Sequence, residues 1–155
     1  MASRDLREAQ RLFEDVAVGQ RYEQTQHPTR ERVLAYIALA GIVDADGRIT
    51  DLERSRTFGL ERPLVPSQMT FNIVTRLVSD WTGTLGRIAH VDISYRRPIF
   101  HDDVLRCAVL VTDVEGDGEY EDQPEGAVHL DLSIHNERAE DAVLGTAIVL
   151  MPRRG

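Results

Sequence analysis

The first residues that could do chemistry are two aspartates in the segment Asp44-Ala45-Asp46-Gly47. A carboxyl group that is buried enough to have a raised pKa can act as a general acid or base. Asp44 and Asp46 are therefore the candidate catalytic residues. The alternative is structural, because this sequence is also typical of a turn in which aspartate side chains bond to the nearby backbone.

Five histidines are the other titratable candidates. His90 begins a strand pattern and His101 lies in a turn, so either could face a cleft between subunits. His129 and His135 alternate with apolar residues and are expected at the solvent, while His27 precedes a proline in a loop. No pair has metal-ligand spacing supported by a third ligand, so we predict no metal and no cofactor.

Polar and basic residues provide candidates for substrate binding. Ser67 and Gln68 open a long helix, whose first backbone N–H groups and dipole favour a negatively charged ligand. Asn72 is polar on a very apolar helix, where it either hydrogen-bonds across the core or reaches a pocket. Arg96 and Arg97 suit phosphate groups, or else pair with neighbouring acidic side chains.

The helix that begins near Ser67 organises the rest of the chain. Apolar side chains recur there at four-residue steps, which predicts a helix over about 67–81 that is enclosed on most sides. The recurring residues are Met69, Ile73, Leu77 and Trp81. Ser67, which follows a proline, is the expected N-cap, and the glycine-containing segment after residue 81 supplies the end.

Shorter elements precede this helix. A strand is predicted around residues 21–26, and Thr29 is expected to cap a helix over 30–40 that ends at Gly41. Thr50 and Glu53 have the spacing of a capping box, which predicts a short helix that stops at Gly59.

Four strands are predicted after the long helix, near residues 87–97, 103–114, 127–136 and 143–151. The last is apolar on both faces, so we expect it in the centre of the sheet or at a subunit interface. The acidic segment 115–126 favours a solvated hairpin loop over a calcium site, because it lacks the EF-hand order. One long helix with several antiparallel strands indicates the α+β class.

Length and composition limit the class of protein. The 155 residues suit a single domain, with residues 1–12 as a possible N-terminal arm. The net charge of −8 argues against nucleic-acid binding. Cys107 is the only cysteine, so no disulfide can form within the chain, which fits a reducing compartment. Its side chain is expected to be buried. Because no segment approaches membrane-spanning length, a cytoplasmic protein is predicted.

Three phrases of the sequence resemble the MaoC-like (R)-specific enoyl-CoA hydratases and dehydratases, which have the hot-dog fold. The phrases are FEDVAVGQRYEQT, DLERSRTFGLERPLVPSQM and DISYRRPIFHDDVL. In addition, TFNIVTRLVSDWTG resembles the small subunits of two-component steroid side-chain enoyl-CoA hydratases. The resemblance covers most of the chain and implies an antiparallel sheet wrapped around the long helix.

The catalytic loop departs from the family pattern. Active hydratases carry Gly-Asp-x-Asn-Pro-x-His after the first helix, where Asp and His activate the water that adds to the enoyl thioester. A direct overlay puts Ile42 at the Asp position and Gly47 at the His position. A shift of two residues brings Asp44 to the Asp position and still provides no histidine.

The resemblance implies a divergent hydratase or dehydratase of acyl-CoA or acyl-carrier thioesters, or one subunit of such an enzyme. Backbone donors near Ser67 and Gln68 would bind the thioester oxygen, and Asn72, His90 and Arg97 are further substrate-binding candidates. The implied partner is a second hot-dog subunit, in a homodimer or a heterodimer. The alternatives are an acyl-CoA thioesterase and a non-catalytic subunit that binds acyl thioesters.

Overall fold

The computed structural model describes residues 10–115 and 125–155. Within these residues the chain forms a 3-10 turn at Phe13–Asp15, three helices and five strands. The helices are α1 (Arg30–Ala40), α2 (Leu52–Thr57) and α3 (Ser67–Thr82). The strands are β1 (Arg21–Gln26), β2 (Arg87–Tyr95), β3 (Leu105–Glu115), β4 (Glu125–His135) and β5 (Asp141–Pro152).

The five strands form one antiparallel sheet in the order β1-β3-β4-β5-β2. The predicted strands are confirmed, and each strand end lies within two residues of its predicted position. β5 lies between β4 and β2, so its position inside the sheet agrees with its apolar sequence. β1 and β2 are the two edges. The acidic segment 115–126 lies almost wholly outside the described residues, and its predicted conformation stays a prediction.

Helix α3 packs its apolar side against the sheet. Leu77 and Val78 are fully buried, and Trp81 is nearly so. The opposing side chains come from alternate positions of the strands, where Val109 lies opposite Leu132 in register. The apolar side chains that recur at about four-residue steps on the helix pack in one core with those that recur at every second residue of the strands. This packing confirms the predicted α+β arrangement.

Two N-caps differ from prediction by one residue. Pro66 is the N-cap of α3, and Ser67 is its first helical residue, without a side-chain cap bond. Asp51 is the N-cap of α2, accepting a hydrogen bond from Arg54 N at 3.0 Å. The hydroxyl of Thr50 donates to Asp44 at 2.7 Å.

The predicted cap and end of α1 are both confirmed. The side chain of Thr29 accepts a hydrogen bond from Arg32 N, and Gly41 ends the helix with φ of 65°. This left-handed conformation suits glycine because it has no β-carbon. α1 therefore ends sharply and delivers the chain into the loop at residues 43–50.

The segment before β1 packs on the carboxyl end of α3. Arg11 donates a hydrogen bond from Nε to the Trp81 carbonyl at 3.1 Å, and its guanidinium lies 4.9 Å from the Trp81 ring centre. Gln10 bonds to the Thr82 carbonyl. The rest of the predicted N-terminal arm, residues 1–9, lies outside the described residues.

Candidate functional site

A cleft of about 650 Å³ opens beside the first turn of α3. We call it the α3 cleft. Its walls come from three separated parts of the chain: the loop at 43–49, the segment 64–70 and the segment 95–99 that follows β2. Apolar side chains such as Ile49, Val65 and Ile99 line much of it. A largely apolar cleft with a few polar groups is typical of a small-molecule site.

Asp44 lines this cleft and is half-buried. Its Oδ2 atom accepts three hydrogen bonds: from Ile49 N at 3.1 Å, Thr50 N at 2.9 Å and Thr50 Oγ1 at 2.7 Å. Its Oδ1 atom has no protein partner among the described residues. One oxygen therefore fixes the loop, and the other is left for a ligand or water.

Asp46 lies in the same loop but is committed to an ion pair. It accepts hydrogen bonds from the Arg48 backbone at 3.1 Å and from the Arg48 guanidinium at 2.8 Å. The hydrogen bond from the Arg48 side chain is the main cause that holds the pKa of Asp46 below its ordinary value. Asp46 is therefore a weaker base than an ordinary aspartate. Its bond to the Arg48 backbone is the structural alternative given by the sequence, a turn in which an aspartate side chain bonds to the nearby backbone.

The amino end of α3 borders the same cleft through Ser67 and the buried Thr70. The N–H groups in the first turn of a helix have no partner within the helix, so they are available to an oxygen atom in the cleft. Tyr95 fixes this turn from the side, because its hydroxyl donates to the Ser67 carbonyl at 2.8 Å. Burial raises the pKa of Tyr95, so the phenol remains protonated.

Sequence reasoning missed Tyr95 as a site residue. The period-two pattern of β2 places it on the apolar face, and no local signal distinguishes it from Val91 or Ile93. Only the crossing of β2 over the first turn of α3 brings its hydroxyl to Ser67. Arg48 was also missed, because its side chain reaches the cleft only through the turn at Asp46 and Gly47.

Three arginines lie around the cleft. Arg97, a predicted substrate-binding residue, lines it and has its Nε 3.6 Å from Glu140 Oε2 at an exposed position. Arg96 also lines it and makes no ion pair with any described residue. Arg48 is paired with Asp46 and lies over the Phe58 ring at 5.1 Å. The exposed pair of Arg97 is weak and Arg96 has none among the described residues, so these two guanidinium groups can be recruited by an anionic ligand.

Three predicted site residues are not in the α3 cleft. Gln68 is exposed and does not line the cleft. Asn72 is exposed rather than in the core, and its Nδ2 donates to the Tyr36 hydroxyl at 2.8 Å. His90 is exposed on β2. Their predicted contacts with substrate stay predictions.

No histidine among the described residues lines the cleft. His101 lies behind it, 2% exposed, with neither ring nitrogen in a hydrogen bond to a described residue. The carbonyls of Ile49 and Leu64 approach the ring. Burial, and then the charge of Arg30, hold the pKa of His101 below its ordinary value of 6.5, so the ring is neutral near pH 7.

The cysteine and two further histidines lie outside the α3 cleft. Cys107 is buried, as predicted, and burial raises the pKa of its thiol to about 12. His129 lies 3.4 Å from an oxygen of Glu115, and His135 lies 3.4 Å from an oxygen of Asp141.

In the described parts of the chain, no helix is long and apolar enough to span a membrane.

Comparison with known proteins finds relatives by structure alone. No protein-family model matches the chain, and no curated protein matches its sequence. The (R)-hydratase from A. caviae involved in PHA biosynthesis superposes with a TM-score of 0.76 at 24% identity, over 90% of this chain and 99% of that one. A MaoC-like dehydratase from Rhodospirillum rubrum gives 0.74 at 23% identity, over 93% and 98%.

A third similar structure is the ChsH1–ChsH2 complex from Mycobacterium tuberculosis, with a TM-score of 0.73 at 19% identity, over 88% of this chain and 98% of that one. The predicted sheet around a long helix is therefore confirmed. The chain has the hot-dog fold that it shares with these (R)-hydratase and MaoC-like dehydratase structures.

Proposed function

We propose that the chain is a subunit of a MaoC-like enoyl-thioester hydratase or 3-hydroxyacyl-thioester dehydratase. One observation carries this proposal: Asp44, whose Oδ1 has no partner among the described residues, and the amino end of α3 line the same cleft. A hydration site needs a base for water and donors for the thioester oxygen, and these are the two groups present.

The reaction assigns a distinct role to each group. Asp44 Oδ1 accepts a proton as water oxygen bonds to the β-carbon of the enoyl thioester. The electron pair of the double bond moves toward the carbonyl oxygen, whose developing negative charge is stabilised by backbone N–H groups at the amino end of α3, where Ser67 lines the cleft. The α-carbon then takes the proton that Asp44 accepted, so that one water is added in total and the carboxylate is restored. Dehydration is the same sequence in reverse.

A missing imidazole supports the subunit proposal. The family pattern pairs an aspartate with a histidine, whereas the α3 cleft has Asp44 without a histidine among its lining residues. His101 cannot act in its place, because it is 2% exposed and does not line the cleft. We therefore assign the second acid–base group to a partner hot-dog subunit, as in an assembly of the ChsH1–ChsH2 kind.

The free edge of β2 is the proposed contact with that partner. β2 ends the sheet, so its outer N–H and C=O groups can pair with another strand. Tyr95 on this strand is 50% exposed, and Phe71 on α3 is 39% exposed. Phe71 follows Ser67 by one helical turn, so the partner would cover apolar surface directly beside the α3 cleft.

The substrate is assigned as an acyl-CoA or acyl-carrier thioester. Arg48, Arg96 and Arg97 supply positive charge at the cleft, and a guanidinium binds phosphate oxygens through two parallel hydrogen bonds. The apolar wall at Ile49, Val65 and Ile99 is suited to the acyl group.

The test is loss of enoyl absorbance with short and bulky enoyl-CoAs, first with the purified chain and then with a co-purified hot-dog partner. Turnover only with the partner supports the subunit proposal. Activity of the chain alone, unchanged in Asp44→Asn, contradicts the assignment of Asp44. No enoyl-CoA turnover and no shift in Tm under either condition rejects the hydratase proposal.

A thioesterase is the second candidate, because the carboxylate of Asp44 and the helix amino end that line the α3 cleft are also the groups that thioester hydrolysis needs, a base for water and donors for the carbonyl oxygen. Release of free thiol from acyl-CoA, abolished in Asp44→Ala, distinguishes it. A third candidate is a non-catalytic subunit that binds acyl thioesters. This candidate is favoured if acyl-CoA raises Tm while neither hydration nor hydrolysis occurs with a partner present.

A further inference from the structure

A second cavity, of about 360 Å³, lies between α1 and α3 and is separate from the α3 cleft. We call it the helix groove. Its floor is apolar and comes from Pro28, Ala35, Met69 and Ile73. None of its lining residues lines the α3 cleft. Nothing in the proposed hydratase chemistry uses it.

α1 and α3 provide the two walls of the groove. Tyr36, in the second half of α1, bonds to Asn72 in the first half of α3. Arg32 is one turn before Tyr36, and Arg76 is one turn after Asn72. Each wall therefore carries one arginine that lines the groove.

Every charged or titratable group near the floor is basic or phenolic. Arg32, Arg76 and His27 line the groove, and no carboxylate of the described residues does, although the chain has a net charge of −8. Arg76 is 3.5 Å from exposed Asp80, and Arg32 donates one hydrogen bond at 3.3 Å to the His27 carbonyl. Each guanidinium keeps other N–H groups for a ligand.

Polar groups also remain available beside the arginines. Asn72 Nδ2 donates to the Tyr36 hydroxyl oxygen at 2.8 Å. That bond leaves the Tyr36 hydroxyl proton and the Asn72 side-chain Oδ1 without a partner among the described residues. An apolar floor with a few polar groups is typical of a ligand site.

We propose that the helix groove binds a small anionic amphiphile. Its head group, a carboxylate or a phosphate, lies between Arg32 and Arg76, and its apolar stem lies on the floor of Ala35, Met69 and Ile73. Tyr36 donates to an oxygen of the ligand. This site is additional to the α3 cleft, so it does not depend on hydratase activity.

Titration of the ¹⁵N-labelled full chain with octanoate, octyl phosphate and octan-1-ol tests the proposal by NMR. We expect the two anions to shift backbone amides at 29–36 and 69–76, and the alcohol, which has the same stem without charge, to shift them far less. Tighter binding of octanoate assigns a carboxylate ligand, and tighter binding of octyl phosphate assigns a phosphate. Shifts confined to 43–49 and 95–99, or equal shifts with the alcohol, overturn the proposal.

Variants locate the head group. Arg32→Gln with Arg76→Gln is expected to weaken anion binding at least tenfold, while Arg56→Gln, on the exposed surface of α2, leaves the Kd unchanged. Both arginines of the groove are exposed, so the double variant should fold like the parent chain. Unchanged affinity in the double variant rejects the site whatever the outcome of the enoyl-CoA assay.

Discussion

At the scale of single residues, Asp44 and Asp46 lie two positions apart and have different hydrogen-bond partners. Asp46 is held by Arg48, which lowers its pKa and uses both of its oxygens. Asp44 lines the α3 cleft and uses one oxygen to hold Ile49 and Thr50, and its other oxygen has no partner among the described residues. The difference arises from the direction of the loop rather than from residue type, and it is the reason that Asp44 is the proposed base.

Asp44→Asn is expected to lower enoyl-CoA turnover of the assembled enzyme by about 100-fold or more, because a proton acceptor is lost. Asp46→Asn should retain turnover within a few-fold. Thr50→Val is the matched control, since it removes one loop bond to Asp44 and keeps the carboxylate. Equal losses in Asp44→Asn and Thr50→Val would mean that Asp44 only supports the loop.

His101 makes stability depend on pH. Its pKa is below 6.5 in the folded chain, mainly through burial, so the unfolded chain binds a proton first as pH falls. We expect the free energy of unfolding to decrease from about pH 6.5 downward, until the folded chain is protonated as well. The lowered carboxylate pKa values, such as that of Asp46, act in a more acidic range.

Urea unfolding at pH 7.5 and pH 5.5 measures this effect. His101→Leu should show a smaller loss of stability between the two pH values. At pH 7.5 it should be at least as stable as the parent chain, because a buried unpaired polar group is removed. The same pH dependence in the variant would assign the effect to other groups.

At the scale of elements, helix α3 contributes both to the hydrophobic core and to the α3 cleft. Its apolar side forms the core with the sheet, and its amino end borders the cleft. Leu77→Ala should lower the free energy of unfolding by about 2–5 kcal/mol, because Leu77 is fully buried and the cavity would not refill. Leu85→Ala is the control at 63% exposure and should change stability by less than about 0.5 kcal/mol.

Urea unfolding curves give both values. A loss below about 1 kcal/mol for Leu77→Ala would mean that α3 packs less closely than its burial indicates.

At the scale of the whole molecule, the edge of β2 and the exposed ring of Phe71 predict association. Phe71→Glu should release a hot-dog dimer to monomers, because it would place a charge in a buried apolar contact. Val18→Glu is the control, since Val18 is 59% exposed in a loop far from this edge in the sequence. Light scattering after size exclusion measures the mass. A parent chain that stays monomeric with every hot-dog partner tested contradicts the interface.

Much of the fold could be predicted because its signals are local. Four-residue steps on α3 and alternation in β4 report which side of each element is buried, whatever the neighbours are. The N-cap residues were less certain. Pro66 and Asp51 cap α3 and α2 in place of Ser67 and Thr50, because neighbouring residues compete for each cap position and local sequence does not decide between them.

The sequence by itself determined the elements, the buried positions and the two aspartates that had to be weighed. It could not decide between the two aspartates, nor place Asn72 on the surface and His101 in the interior. Those outcomes depend on the neighbours of each side chain in space. The cleft joins segments at 43–49, 64–70 and 95–99, and only tertiary packing brings them together, because hydrogen bonds and burial depend on distance in space rather than along the chain.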